Sequence, residues 1–250
     1  MTYQLCFILN FLACLFLMKV FNLMNVNANL KIEKLSFLFK SPLLSQRSYL
    51  NHTHPSISKS FTFVRLIITL TFLYLLLKIG QIFFGSLSWI EIILISPIIY
   101  FLTEAKGLFA QLIFSPFTST HSIHRHPLLS RSLGDFWGKR WNVWVQDWLR
   151  DISHKHRKFL KRKIFFSFLF SGIFHEMMVN LPYFLFYNES YFGNMTLYFM
   201  LQGIGLWAEK TFLQNAALIT KRIYLWLFIL LPSPLFLSKP FIVFFGLSYE

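Results

Sequence analysis

Long apolar runs alternate with shorter polar and basic stretches along this chain. A membrane-spanning helix needs about 20 mostly apolar residues. The runs at 5–24, 61–79, 82–102, 164–187, 191–208 and 223–237 approach that length. The pattern predicts an all-α, multi-pass transmembrane helical bundle of about six spans. The long polar interval 103–163 predicts an amphipathic cytosolic loop between the third and fourth spans. Arg65 and Lys78 sit near the ends of the second run, where long side chains snorkel to the interface. Glu91 and Pro97 interrupt the third. Pro232, Pro234 and Pro240 break the last apolar region into pieces, which predicts a kinked span or a re-entrant turn. The run at 241–247 is too short to cross alone. The first run could be a signal peptide, with Val26-Asn27-Ala28 as a cleavage site. It lacks a basic leading segment, which favours a retained anchor.

Composition agrees. Of the 250 residues 55% are hydrophobic and 14% charged, and the mean hydropathy is +0.52. A soluble domain carries about a quarter charged residues, and disorder requires low hydrophobicity, so both classes are excluded. The 32 phenylalanines and 20% aromatic content suit lipid-facing positions. Cys6 and Cys14 both lie in the first run and imply neither a disulfide framework nor a metal site.

The net charge of +14 on so apolar a chain must be placed. Lys31, Lys34, Lys40, Arg47 and Lys59 face one acid, Glu33, in the stretch 30–60. A second stretch, 118–163, holds Arg125, Arg131, Lys139, Arg140, Arg150, Lys155, Arg157, Lys158, Lys161, Arg162 and Lys163 against Asp135, Asp147 and Asp151. Lys210, Lys221 and Arg222 follow between the fifth and sixth spans. Six crossings put these stretches on one side, and apart from Lys19, Lys78 and Lys239 every Lys and Arg falls on that side or at its edge. The excess of positive charge in these loops makes that side cytosolic and the N-terminus external. The sequons at Asn188 and Asn194 fall on or near the other side. The membrane would be the endoplasmic reticulum in a eukaryote or the inner membrane in a bacterium. The chain divides into an anchor span with a basic cytosolic linker, 1–60, and a membrane domain, 61–250.

Two stretches carry candidate chemistry. His175 stands eleven residues beyond Ile164, about 16 Å into its span at 1.5 Å per residue. An ionisable group at that depth is costly and marks a functional site by default. Glu176 adjoins it, and Ser171-Gly172 permits close helix approach. A zinc-protease helix would need a second His four residues on, and position 179 is Val. The other stretch is Asp135-Phe136-Trp137-Gly138-Lys139-Arg140-Trp141-Asn142. It offers two indoles, two cations for phosphate and one amide that both donates and accepts, with Gly138 permitting a bend. Trp137, Trp141, Trp144 and Trp148 recur at three- and four-residue spacing, which predicts one face of a helix lying in the membrane surface. Nucleic acid is an improbable partner for a membrane-embedded chain; anionic headgroups or a phosphorylated substrate fit better. The histidines at 52, 54, 121, 124, 126, 154 and 156 are irregularly spaced among Arg and Lys. They read as solvated or headgroup-facing side chains, and no metal site is expected.

Together, Leu133-Gly134-Asp135-Phe136-Trp137-Gly138-Lys139-Arg140-Trp141-Asn142 and Ser171-Gly172-Ile173-Phe174-His175-Glu176 resemble the wax synthase branch of the membrane-bound O-acyltransferases. That branch shows a similar Phe-Trp-Gly-Arg-Arg-Trp-Asn stretch and a Ser-Gly-x-x-His-Glu stretch. Pro127-Leu128-Leu129-Ser130-Arg131-Ser132-Leu133, Gln202-Gly203 with Glu209, and Leu231-Pro232-Ser233-Pro234-Leu235-Phe236 are also similar, so the motif-bearing part is 127–250. The glutamine at 202 stands where plant members often have histidine.

The resemblance implies the membrane-bound O-acyltransferase fold and transfer of a fatty acyl group from acyl-CoA, as co-substrate and without a cofactor, to a hydrophobic alcohol. His175 would be the catalytic base and Asn142 the second signature residue, steadying the substrate or the oxyanion. Trp137, Lys139, Arg140, Trp141 and Glu176 would contact substrate, with Lys139 and Arg140 at the CoA phosphates. The expected partners are acyl-CoA, the alcohol and the lipid bilayer. The alternatives are a membrane di-iron lipid oxygenase and a degenerate protein that binds lipid or CoA without turnover.

Overall fold

The structure, a computed structural model, describes residues 3–25, 34–50, 58–83, 89–117, 120–155 and 163–244. Lys31, Glu33, His52, His54, His156, Arg157, Lys158, Lys161, Arg162 and the Val26-Asn27-Ala28 segment lie outside the described residues, as do the side chains of Arg47, Glu91, His154 and Lys155. Every regular element among the described residues is helical. The helices are α1 (Tyr3–Asn25), α2 (Lys34–Phe39), α3 (Gln46–Leu50), α4 (Lys59–Phe83), α5 (Trp89–Phe114), α6 (Leu133–Asp135), α7 (Val143–Lys155), α8 (Lys163–His175), α9 (Leu181–Tyr187), α10 (Asn194–Phe212), α11 (Leu218–Leu230), α12 (Ser233–Phe236) and α13 (Lys239–Phe244). Wide π-turns at Phe136–Arg140 and Glu176–Asn180 join α6 to the loop and α8 to α9.

Among the described residues, five helical segments are long and apolar enough to cross a membrane: Tyr3–Met24, Lys59–Gly80, Ser96–Phe114, Ile164–Tyr187 and Leu218–Phe236. The all-α multi-pass architecture is as expected, with two differences in the spans. The helix of the third run, α5, continues past residue 102 through residues assigned to the loop and stops before Pro116. Glu104, Lys106 and Gln111 depress its hydropathy, yet the fold accommodates them. Glu104 pairs with Arg65 of α4, which therefore does not simply snorkel, and Gln111 Nε2 donates to the Thr120 carbonyl at 3.4 Å. The fifth run forms α10, 19 residues long, but this helix is more polar than the five spans. Its polar residues Gln202 and Glu209 are buried against α6, α11 and the Trp-rich loop, so they face protein. The last span is α11 and α12, bent at Pro232 as the prolines require.

The bundle has two distinct ends. One gathers the C-terminal halves of α1 and α10 with α2, α3, the Trp-rich loop and α7; Trp148 Nε1 donates to the Met18 carbonyl at 2.9 Å, and Glu209 accepts from the loop amides. The other gathers Tyr3, Tyr183, Tyr187 and the Lys239–Glu189 pair; Tyr3 Oη donates to the Pro240 carbonyl at 2.9 Å. Arg125, Arg131, Lys139 and Arg140 of the Trp-rich loop lie at the first end.

The break between α8 and α9 has a local cause. Pro182 has no N–H to give to the Met178 carbonyl, and the helix widens so that the Leu181 amide donates to Glu176. The freed carbonyls are met from α1, where Asn10 Nδ2 donates to Met177 at 2.7 Å and to Met178 at 3.3 Å. In an apolar medium such a bond sets register, because an unmet carbonyl is expensive there. The α1 helix is thus locked to the span that carries His175.

The Trp-rich helix exists as α7, but its orientation differs from the expectation. Trp144 and Trp148 are only 6% and 1% exposed, and Trp141 and Trp137 precede the helix. The indole N–H groups bond to the carbonyls of His121 and Met18. The tryptophan face packs onto α1 and the loop and not into headgroups, since a buried indole finds both its acceptor and its packing inside the protein.

Close approach of α8 and α10 depends on Gly172. A Cβ built there would lie 2.6 Å from the Thr196 Cα, a backbone atom that only moves with its helix. Gly172→Ala is expected to destabilise the bundle by about 1–3 kcal/mol through overpacking, read as a lowered Tm in detergent. An unchanged Tm would show that the two helices part without cost.

Candidate active site

His175 is the last residue of α8, immediately before the π-turn. Its Nδ1 lies 2.6 Å from the Ser171 carbonyl oxygen. A carbonyl only accepts, so Nδ1 carries the hydrogen, and the neutral ring presents its Nε2 lone pair. The ring packs against Phe199 at 4.5 Å and Phe236 at 5.5 Å between centroids. The side chain is half-buried, with aromatic rings against it.

Glu176 points elsewhere. Adjacent helix residues diverge by about 100°, and its carboxylate is 6% exposed beside the start of α10. One oxygen accepts from the Gly193 and Thr196 amides at 3.0 and 2.9 Å, and the other accepts from Asn180 Nδ2. These amides belong to the first turn of α10, which has no intrahelical partners for them and favours an anion. Glu176, expected among the substrate contacts, is therefore a strut that fixes α10 beside His175.

Glu209 does the same at the other end of α10. Its two oxygens accept from the Leu133 and Gly134 amides at 2.7 and 2.8 Å. The Ser132 hydroxyl accepts from the Asp135 amide at 3.0 Å. Gly134 is required by this approach, as a Cβ there would stand 3.2 Å from the Glu209 carboxylate and 3.2 Å from Leu206. At Gly138, by contrast, a Cβ would meet nothing within 4 Å, so the bend expected there does not depend on glycine.

The loop residues divide by role. Trp137 donates from Nε1 to Gln202 Oε1 at 3.1 Å and packs on Phe168 and Phe199, which places it one ring away from His175. Gln202 is fully buried and donates its own amide to the Phe228 carbonyl at 2.6 Å. Trp141 stacks on Phe136 at 5.4 Å and lies against His124 at 4.4 Å. Asn142 has φ +45° and caps α7: Oδ1 accepts from the Val145 amide at 3.4 Å, while its backbone N–H donates to His124 Nδ1 at 3.2 Å. Among the described residues no hydrogen bond or ring contact joins Asn142 to His175. They are related through Trp141, Phe136, Trp137 and Phe199, each in ring contact with the next.

Arg140 is committed to the loop. Its Nε donates to Asp135 at 2.7 Å and Nη1 donates to the carbonyls of Arg125 and His126 at 3.3 Å. Burial works to raise the Asp135 carboxyl, but the Arg131 amide and the Arg140 guanidinium outweigh it and hold it below the usual range. The staple therefore stands at neutral pH and is lost as pH falls through that lowered value. Lys139 is exposed beside it and remains the more available cation for a ligand phosphate, as are Arg125 and Arg131.

His121 and His124 are buried, unlike the solvated side chains expected. His124 accepts at Nδ1 and donates from Nε2 to Thr103 Oγ1 at 2.8 Å, a hydroxyl that itself donates to the Ile99 carbonyl. Burial, and then the neighbouring Lys106 ammonium, push this imidazole down to about 3, so it is neutral. Among the described residues no group of three or more His, Cys, Asp or Glu is placed to hold a metal ion. The reading of the sequence missed Gln202 as the partner of Trp137, Glu209 as the anchor of the loop, and His124 as the prop under Asn142. Only Asn142 carried a local signal: asparagine just before an apolar helix is a preferred N-cap.

Residues 120–202 match the sequence profile of the membrane bound O-acyl transferase family, an interval holding both Asn142 and His175. Three Arabidopsis thaliana proteins named probable long-chain-alcohol O-fatty-acyltransferase are similar. Number 3 is 36% identical over 33% of this chain and 26% of its own length. Number 9 is 36% identical over 31% and 25%, and number 6 is 32% identical over 38% and 29%. The matched stretch spans about a quarter of the length of these relatives. These likenesses support the resemblance to the wax synthase-like branch. No solved structure matches the chain.

Glu209→Gln leaves one loop amide facing an NH2 group in place of an oxygen. Hydrogen bonds to charged groups contribute about 1.5–3 kcal/mol, so a loss of about 2 kcal/mol is expected. Limited proteolysis of the loop at 120–142 should accelerate; equal cleavage of wild type and variant would rule out Glu209 as its anchor.

Proposed function

We propose that this chain is an integral membrane O-acyltransferase that moves a fatty acyl group from acyl-CoA to the hydroxyl of a hydrophobic alcohol, giving a wax ester or a related lipid or sterol ester. The observation that carries this reading is the His175 tautomer: Nδ1–H is held by the Ser171 carbonyl, and Nε2 is left as a base beside the Phe199 and Phe236 rings. The names of the similar proteins, probable long-chain-alcohol O-fatty-acyltransferases, support the acceptor class.

The chemistry proceeds as follows. The alcohol oxygen attacks the thioester carbonyl as His175 Nε2 takes its proton. A C–O bond forms and the carbonyl electron pair moves onto oxygen. When that pair returns, the C–S bond breaks, and the departing thiolate takes the proton back from Nε2. The products are an ester and free CoA, and His175 is restored to its neutral form. The role of the bundle is to keep water away from the thioester while its apolar side chains hold both alkyl chains. The exposed Arg125, Arg131 and Lys139 lie on the loop at the basic end of the bundle. In this reading that end faces the cytosol, where CoA is supplied, and these cations receive its phosphates. Trp137 lines the route between that end and His175. Asn142 shapes the route by holding Trp141 and α7 in place, and its Nδ2 is the donor offered to substrate.

Membranes containing the wild-type chain are expected to form labelled ester from labelled palmitoyl-CoA and a member of a panel of fatty alcohols, sterols and diacylglycerol. General-base help is worth about 10²–10⁴ in rate, and His175→Ala should lose that much at unchanged expression. Equal rates in the variant would remove His175 from the chemistry. No ester from any acceptor would overturn the reading itself and favour a protein that binds lipid without turnover.

A further inference from the structure

The turn at 125–131 reverses the usual sorting of polar and apolar side chains. Pro127 and Ser130 are buried, while Leu128 and Leu129 are 67% and 61% exposed. Arg125 and Arg131 stand on either side of them and are exposed too. A set of hydrogen bonds holds the leucines outward. His126 opens the turn with φ +49°, the Leu129 amide donates to the His126 carbonyl at 3.0 Å, and the Ser130 hydroxyl donates to the Pro127 carbonyl at 2.6 Å. Arg140 Nη1 clamps the start of the turn through the Arg125 and His126 carbonyls, and the Arg131 amide closes its end on Asp135 at 3.1 Å. Apolar residues scattered singly over a surface need no explanation. An adjacent pair, presented by a braced turn that hides a serine in their stead, calls for an apolar medium outside.

The level of this turn along the bundle follows from α10. Leu197, Ile204 and Trp207 are exposed along one side of that helix, at the seven- and three-residue spacing of a single stripe. Three residues beyond Trp207 the stripe reaches Lys210, which is exposed. An apolar stripe that ends in a tryptophan and then a lysine marks the boundary between hydrocarbon and headgroups. Glu209 is at that boundary, about 3 Å along the axis from Trp207, and it holds the Leu133 and Gly134 amides. The leucine pair lies just ahead of Leu133 in the chain, so the turn emerges beside the same boundary. Charge agrees with this placement. Among the described residues no carboxylate forms an ion pair with Arg125 or Arg131. Two free cations around an apolar tip complement a leaflet with a negative surface. A second copy docked tip to tip would instead bring like charges together.

We propose that Leu128 and Leu129, flanked by Arg125 and Arg131, form a finger that docks the loop on the bilayer: the leucines enter the leaflet at the basic end of the bundle, and the two guanidiniums bind the phosphates of anionic lipids there. The finger anchors the stretch between Arg125 and Arg140, whose ends are joined by the Arg125 amide donating to the Arg140 carbonyl at 2.9 Å. The loop is then gripped by Glu209 on one side and by lipid on the other. In the acyl-transfer reading the same cations exchange lipid phosphates for those of an acyl-CoA, itself an amphiphile that reaches the protein through the leaflet. The docking surface stands without that reading, because it rests on exposure, the braced turn and charge alone.

The test uses the full chain in lipid nanodiscs, with Cys6→Ala and Cys14→Ala removing both native thiols. Leu128→Cys and Leu129→Cys, made separately, each carry a polarity-sensitive fluorophore. The nanodiscs contain phosphatidylcholine alone or phosphatidylcholine with phosphatidylserine. At both positions the emission should shift to the blue and be quenched by a nitroxide on the lipid but not by iodide in the water. Phosphatidylserine should increase the lipid quenching, and Arg125→Gln with Arg131→Gln should abolish that increase. Quenching by iodide and not by the lipid nitroxide, in both lipid mixtures, would overturn the proposal. A blue-shifted label that neither quencher reaches would overturn it in favour of a protein covering the finger. Lipid quenching that ignores both phosphatidylserine and the two arginines would overturn the role given to the cations. Ester formation plays no part in these measurements, so failure of the acyl-transfer reading is read separately.

Discussion

A charge sealed inside a membrane bundle must be answered, and in this fold backbone ends do much of the answering. Glu176 is answered by the first free amides of α10, and Glu209 by the amides that open α6. Lys19, buried near the end of α1, donates to the carbonyls of Phe37, Leu38 and Ser41 at the finish of α2. Helix termini carry unsatisfied groups and a partial charge of the required sign. Using them removes two costs together, that of the buried ion and that of the unpaired backbone. A cation placed opposite each carboxylate would have settled only the first.

This choice fixes the geometry of the site. The α10 helix is pinned at its start to the residue after His175 and near its finish to the loop ahead of Trp137. Gly172 lets α8 lie against it at backbone distance. Phe199 and Gln202, on the stretch between the two carboxylates, then reach His175 and Trp137 respectively. A single interior helix thus sets the spacing between the candidate base and the loop. The loop is held from the far side by His124 and Thr103, so it is gripped between α5 and α10.

Hydropathy made the apolar crossings legible, and the bias of Lys and Arg grouped the connections on one end. The extension of α5 past residue 102 was not legible, because Glu104, Lys106 and Gln111 count against a span by composition. The fold answers Glu104 with Arg65 and Gln111 with the Thr120 carbonyl, the one a partner distant in sequence and the other not a side chain. The helical tryptophan spacing was legible, but its direction was not. An indole seeking one apolar face and one acceptor is satisfied equally by a headgroup layer and by the interior of a protein. Glu176 and Glu209 gave no sign of their work, since a carboxylate that caps a distant helix leaves no local pattern.

The two best-defined imidazoles show what separates a strut from a candidate base. His124 and His175 each bond one ring nitrogen to a backbone group and lie against an aromatic ring. Both nitrogens of His124 are occupied, one accepting from the Asn142 amide and one donating to Thr103. At His175 a backbone carbonyl takes the only N–H, and the basic nitrogen has only aromatic walls around it. Residue type, depth and surroundings do not distinguish them; the unspent lone pair does. His124 spends both nitrogens on holding the loop to α5. A half-buried imidazole whose N–H is fixed by its own helix keeps an acceptor that a substrate hydroxyl could use.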